Sequence, residues 1–212
     1  MKKILVAAVA VVFGLTAASA EVKNYLDFGV TVPVISDMDT DSGVDSDVTV
    51  GFGIEASYRA MFTDVFGLYA QFGFNFPQKE EVKGDYDYDL EQSDFDAWWG
   101  CNMLVGPAIM PLQNDKFGLT IAPGLAILTN NMEADSLYGL QDAKLTYTML
   151  GLGCNAGFDI YLNDKLYLKP AVELGFYFHQ WTKLESKHYD EDDDESCSLF
   201  MFKPSISFGF RF

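Results

Sequence analysis

The chain has 212 residues, of which 49% are hydrophobic and 15% aromatic, with 18 Gly, 7 Pro, 3 Cys and a formal net charge of −17. The length suits one domain, and the composition is neither low-complexity nor that of a disulfide framework. The charge excludes nucleic acid and anionic membrane surfaces as partners, and suits cations or a basic protein or surface.

Lys2-Lys3 is a short basic region, Ile4 to Thr16 is mostly apolar, and Ala18-Ser19-Ala20 is a small-residue cleavage site. This order predicts a secretory signal peptide over 1–20 and a mature domain over 21–212. The apolar stretch is shorter than the ~20 residues a spanning helix needs. No Cys stands at the cleavage point, so a lipoprotein anchor is not expected. No comparable apolar run follows, so the remainder is either soluble or spans a membrane as a barrel.

Eight strands are predicted, at about 24–35, 48–62, 65–77, 95–110, 117–129, 144–161, 166–181 and 198–212. Each is long enough to cross a bilayer at a tilt, which takes ~9–11 residues. In the second, Val48, Val50, Phe52, Ile54, Ala56 and Tyr58 share one face, and Thr49, Gly51, Gly53, Glu55, Ser57 and Arg59 the other. In the last, Phe202, Ile206, Phe208, Phe210 and Phe212 alternate with Lys203, Ser205, Ser207, Gly209 and Arg211. Period two of this kind is a strand with one apolar face.

The connections alternate in length. Three are tight and share a local repeat: Thr63-Asp64-Val65-Phe66, Asn114-Asp115-Lys116-Phe117 and Asn163-Asp164-Lys165-Leu166. Asn and Asp tolerate turn geometry, and the next strand starts at once. The other four, about 36–47, 78–94, 130–143 and 182–197, are expected to be long acidic loops. Short turns on one side and long loops on the other is the pattern of a membrane barrel.

Alternation alone does not say which face is inside. Bulk decides it. The interior of an eight-stranded barrel is just wide enough to be filled by side chains, which suits a face rich in Gly, Ser, Thr and Asn. The Phe-rich face suits lipid. Phe62, Phe66, Phe117, Phe158, Phe210 and Phe212 are expected to form a periplasmic girdle, and Phe76, Phe95, Trp99, Phe178 and Phe200 an outer one. The expected fold is therefore all-β, an eight-stranded antiparallel up-and-down transmembrane β-barrel.

The chain resembles the small eight-stranded bacterial outer-membrane barrels, the class of the OmpA transmembrane domain, OmpX and OmpW. The strand count, the turn-and-loop asymmetry and the terminal Phe210-Arg211-Phe212 carry the resemblance across the whole mature chain. Ending on a strand with Phe208, Phe210 and Phe212 resembles the C-terminal assembly signal of that class. The resemblance implies the outer membrane of a diderm bacterium, outer-membrane lipid as surroundings, and periplasmic chaperones and the barrel-assembly machinery as partners. A monomer is expected, with no cofactor.

The polar face carries both signs of charge: Asp27, Glu55, Arg59, Asp159, Lys169, Glu173, Lys203 and Arg211. Charges taken out of water are expensive unless paired. Adjacency predicts Asp159 with Lys169 and Glu173 with Lys203, and closure of the barrel brings Asp27 near Arg211. Such a lumen network is either a structural plug or a gate for small solutes.

The acidic loops are a second candidate. Asp37, Asp39, Asp41, Asp45 and Asp47 fall in the first, Glu80, Glu81, Asp85, Asp87, Asp89, Glu91 and Asp94 in the second, and Asp190 to Glu195 in the last. Carboxylates suit divalent cations or a basic partner, but the first loop lacks the closing Glu of an EF-hand, so no metal site is assigned. His179 and His188 lack a matching third ligand. Cys101 and Cys154 read as small apolar residues, and Cys197 as a loop thiol. Gly151 to Gly157 is spaced like a dinucleotide fingerprint but lies in an alternating strand with no following helix, so its glycines are expected to leave room in the lumen or permit strand bending.

An enzyme is not expected. A hydrolase needs a positioned imidazole, and only His179 is predicted on a strand face. The chain is similar in size to the lipid A deacylases, which have Ser two residues after the His, where this sequence has Trp181. The expected role is a non-enzymatic surface structural or interaction protein with acidic loops. The alternative is a narrow porin-like channel for small or apolar solutes, as OmpW-like barrels suggest.

Overall fold

The computed structural model describes residues 22–40, 45–83, 88–137, 140–187 and 190–212. The leader expected at 1–20, Glu21, Asp41, Asp85, Asp87 and His188 lie outside the described residues, as do the side chains of Asp37, Asp39, Asp45, Asp47, Glu80, Glu81, Asp89, Asp190 and Glu195.

The strands are β1 (Lys23–Thr31), β2 (Val34–Thr40), β3 (Asp45–Met61), β4 (Phe66–Lys83), β5 (Tyr88–Glu91), β6 (Ala97–Gln113), β7 (Phe117–Leu137), β8 (Leu140–Tyr161), β9 (Leu166–Glu185) and β10 (Asp190–Arg211). Every pairing is antiparallel, and the sheet closes on itself between β1 and β10, from Tyr25 opposite Arg211 to Thr31 opposite Ser205. The strands form a ring of eight, as the alternation predicts.

The extra segments have local causes. Pro33 has no N–H to give, and the first predicted strand breaks there. Val32 N–H donates to Pro204 O (3.0 Å) and Gly51 N–H to Pro33 O (3.1 Å), so the ladder survives the break. β2 then continues between β10 and β3, with Ile35 opposite both Met201 and Thr49. β5 is a short strand added to the upper end of β4.

The three tight turns share one mechanism. The Thr63 hydroxyl accepts the N–H of Phe66 (2.8 Å), Asn114 Oδ1 that of Phe117 (2.9 Å), and Asn163 Oδ1 that of Leu166 (2.9 Å). Each side chain stands in for a backbone carbonyl and launches the next strand. In the first turn Lys23 Nζ lies 2.7 Å from Asp64, and that hydrogen bond holds the exposed carboxyl below the usual range.

The large apolar side chains point outward: Phe52, Ile54, Phe74, Leu125, Leu152, Phe176 and Phe208 are all exposed. On the β7–β8 pair the outward ladder is apolar from Phe117 up to Ile127 opposite Leu150, which matches the ~9–11 residues of a tilted spanning strand. It then turns polar through Thr129 opposite Thr148, Asn131 opposite Thr146, and Glu133 opposite Lys144. All expected girdle residues except one are exposed on this face.

Three expectations need correction. The four segments expected as long loops are largely strand: β2 runs to Thr40 and β3 starts at Asp45, β4 runs to Lys83 and β5 covers Tyr88–Glu91, β7 runs to Leu137 and β8 resumes at Leu140, and β9 runs to Glu185 and β10 resumes at Asp190. Above the apolar belt the outward face becomes polar, so the contrast that marks a strand fades while backbone pairing continues. Phe95 is not a girdle residue. It precedes β6, follows the short helical turn Gln92–Asp94, and packs buried against Trp98 with ring centroids 5.0 Å apart. Phe95 and Trp98 form a small core with Met132, Ala134 and Leu145, so the hairpins above the belt have an interior of their own. Cys197, expected in a loop, is buried on β10.

Candidate functional site: the charged lumen

Alternate residues of every strand meet in the lumen, and the polar ones form two layers. In the lower layer Arg59 Nη2 donates to Asp159 Oδ2 at 2.7 Å, with both side chains fully buried. Lys169 Nζ lies 3.1 Å from Asp27 Oδ2, which also accepts from the Ser57 hydroxyl (2.7 Å). Aromatic faces complete this layer. The Arg59 guanidinium lies 4.1 Å from the Tyr25 ring centroid, and Lys169 Nζ 5.1 Å from that of Tyr69.

In the upper layer Lys203 Nζ lies 2.7 Å from Glu173 Oε2 and 3.3 Å from Glu55 Oε2. Gln71 Nε2 donates to the same two oxygens, at 2.5 and 3.0 Å. Asn155 Nδ2 donates to Gln71 Oε1 at 3.3 Å. Small residues make room: a Cβ on Gly157 would fall 2.4 Å from Lys169 Cε. Toward the outer end the inward residues turn apolar, with Leu104, Leu128, Met149, Tyr177, Leu199 and Met201 all buried.

Asp27, Glu55, Arg59, Asp159, Lys169, Glu173 and Lys203 are thus brought together. Arg211 is not. Its Nε donates to Asp164 O (3.0 Å) and its guanidinium covers the Tyr161 ring, because closure sets Gly209, not Arg211, opposite Asp27. Asp159 takes Arg59 from across the lumen, and the Lys169 ammonium reaches Asp27 instead. The Lys169 stem lies over Gly157 on β8, where a Cβ would fall 2.4 Å from its Cε, and its ammonium reaches Asp27 on β1 from there. Gln71, Asn155, Ser57 and the lumen tyrosines were missed as members. Their phase, shared with the charges, was the available signal.

Above the belt, Lys144 pairs with Glu133, and Lys183 with Glu185. The hydrogen bond from Lys183 holds the Glu185 carboxyl below its usual range. Glu191, Asp192, Asp193 and Asp194 are exposed on β10, with Asp192 opposite Lys183. His179 lies edge-on to Trp181, with ring centroids 4.4 Å apart.

The model of the outer membrane protein beta-barrel domain matches residues 4–199. The chain belongs to this family. Its location is the outer membrane. No curated protein matches the sequence. Among solved structures, the chain is similar to the outer membrane protein OprG from Pseudomonas aeruginosa, at 19% identity and a TM-score of 0.57, over 90% of this chain and 95% of that one. It is similar to the outer membrane protein AlkL, solved in lipid bilayers, at 12% identity and a TM-score of 0.54, over 90% of each chain. A major outer membrane protein from Thermus thermophilus gives 15% identity and a TM-score of 0.51, over 87% of this chain and 99% of that one. These likenesses establish a shared barrel fold.

Proposed function

We propose that this outer-membrane barrel is a closed, non-enzymatic surface structural or interaction protein. One observation carries the reading: one ion pair crosses the lumen between β3 and β8 and another joins β9 to β1, with side chains almost fully removed from solvent. Separating buried pairs to admit ions and water leaves desolvated single charges, which is costly. The acidic face of β10 is the surface offered to a basic partner or to divalent cations. His179 against Trp181 supports a packing role rather than a catalytic one. The barrel is a monomer with no cofactor in this reading. Outward Phe208, Phe210 and Phe212 support its delivery by chaperones to the barrel-assembly machinery.

A second reading is a narrow passage for apolar solutes. The apolar inward residues Leu104, Leu128, Met149 and Tyr177 above the plug favour it.

Single-channel recording in planar bilayers, on protein whose heat-modifiable gel mobility shows it folded, separates the two. The closed reading expects silence. Reproducible conductance steps that change in Arg59→Gln would overturn it and favour the passage.

A further inference from the structure

The described buried residues include four carboxylates, Asp27, Glu55, Asp159 and Glu173, against three cations, Arg59, Lys169 and Lys203. These buried side chains carry one negative charge in excess when all are ionised, in a place where an uncompensated charge is expensive. The ion pairs say where it resides. Arg59 serves Asp159, and Lys169 serves Asp27, one to one. Lys203 alone serves both Glu55 and Glu173. Gln71 donates to both but carries no charge.

Two acceptors beside this pair have no hydrogen-bond partner, Glu173 Oε1 and Asn155 Oδ1. Both side chains belong to residues that are almost completely buried, at 0% and 1% exposure. They are directly opposite one another across β8 and β9. Both side chains also meet the Gln71 amide, Asn155 through Nδ2 and Glu173 through Oε2.

We propose that a monovalent alkali cation, Na⁺ or K⁺, completes the plug, held between Glu173 Oε1 and Asn155 Oδ1. A carboxylate oxygen and an amide oxygen are hard ligands that suit such an ion. Its single charge cancels the single excess. A divalent ion would overshoot that balance beside the Lys203 ammonium. The inference rests on the charge count and the two open oxygens, not on whether the lumen conducts.

The test is the unfolding midpoint of the full barrel in neutral detergent, read by gel mobility. Titrations with NaCl, KCl and N-methylglucamine chloride are run at pH 8 with ionic strength held constant. An ion that binds only the folded state raises the midpoint saturably, by roughly 3–6 °C at tenfold excess over Kd. The expected result is such a rise with Na⁺ or K⁺ and none with N-methylglucamine. Glu173→Gln cancels the excess charge and is expected to give one midpoint in all three salts. Asn155→Leu keeps the charge, removes one ligand, and moves half-saturation to at least tenfold higher salt. Equal midpoints for the unsubstituted barrel in all three salts overturn the proposal, and then an ordered water or a proton satisfies these oxygens. That comparison needs no variant to fold.

Discussion

Pro107 and Pro123 stand opposite each other across the β6–β7 seam. The register fixes this: Val105 faces Leu125 on one side and Ile109 faces Ile121 on the other, and no pairing is made between. Neither proline has an N–H to donate. A closed barrel has no edge strand on which to put them, so the bonds are lost inside the wall. The two backbones lie close here. A Cβ on Gly106 would fall 1.9 Å from Pro123 O, and one on Gly124 would fall 2.3 Å from Val105 O. At the two prolines this seam lacks the paired hydrogen bonds that its neighbours keep.

Restoring one donor should strengthen it. Pro107→Val is expected to stabilise the barrel by about 0.5–1.5 kcal/mol, the net worth of one hydrogen bond. The urea midpoint measures this, and slower deuterium exchange at the Val105 and Leu125 amides localises it. A lower midpoint would mean that the local backbone shape requires proline.

Lys203 carries two carboxylates, so its removal acts on both. Lys203→Met leaves Glu55 and Glu173 side by side in the lumen without their ammonium, and breaking a buried pair costs about 3–5 kcal/mol. Adding Glu173→Gln to that variant removes one stranded charge and should recover a good part of the loss. Urea unfolding of all three barrels tests this. An unchanged midpoint in Lys203→Met would show that the pairs do not hold the plug together.

The barrel was legible because lipid enforces one rule along its whole wall. Every spanning strand must alternate, so Phe52, Ile54, Phe74 and Phe176 announce themselves, and Glu55, Arg59 and Glu173 fall into the lumen by phase alone. The repeated Thr63, Asn114 and Asn163 turns were legible because a single side-chain acceptor makes each. Which charge meets which was not. Pairing across a lumen depends on how long side chains reach past small residues, and Lys169 reaching over Gly157 to Asp27 is set by closure rather than by neighbours in sequence. The hairpins above the belt were hidden for a different reason. Out of lipid, Thr129, Asn131 and Glu133 are as suitable for an outward strand face as Phe is within it, and polar alternating with polar reads as loop.

The small core above the belt should unfold separately. Trp98 is buried among Phe95, Met132 and Leu145, outside the lumen network. Trp98→Ala removes the largest side chain there, a loss of about 3–5 kcal/mol where a core cannot collapse. The hairpins should then become sensitive to limited proteolysis between β7 and β8, while the spanning strands keep their heat-modifiable mobility. Resistance equal to the parent protein would show that backbone pairing alone holds these hairpins.

Gly209 lies where the barrel closes, opposite Asp27, and the Tyr167 ring lies over it. A Cβ there would fall 2.2 Å from Tyr167 Cζ and 2.5 Å from Asp27 Oδ1. The ring is fully buried and lies edge-on to both Tyr25 and Tyr161, at 5.9 and 6.0 Å between centroids, so moving it displaces both. Gly209→Ala is therefore expected to cost about 1–3 kcal/mol through overpacking. If the clash with the ring is the cause, Tyr167→Ala should relieve it, and the two substitutions together should cost less than the sum of each alone. Additive losses in urea midpoint would place the cost in the β10 backbone, where Gly209 would then be needed for strand geometry rather than for the space it leaves beneath the ring.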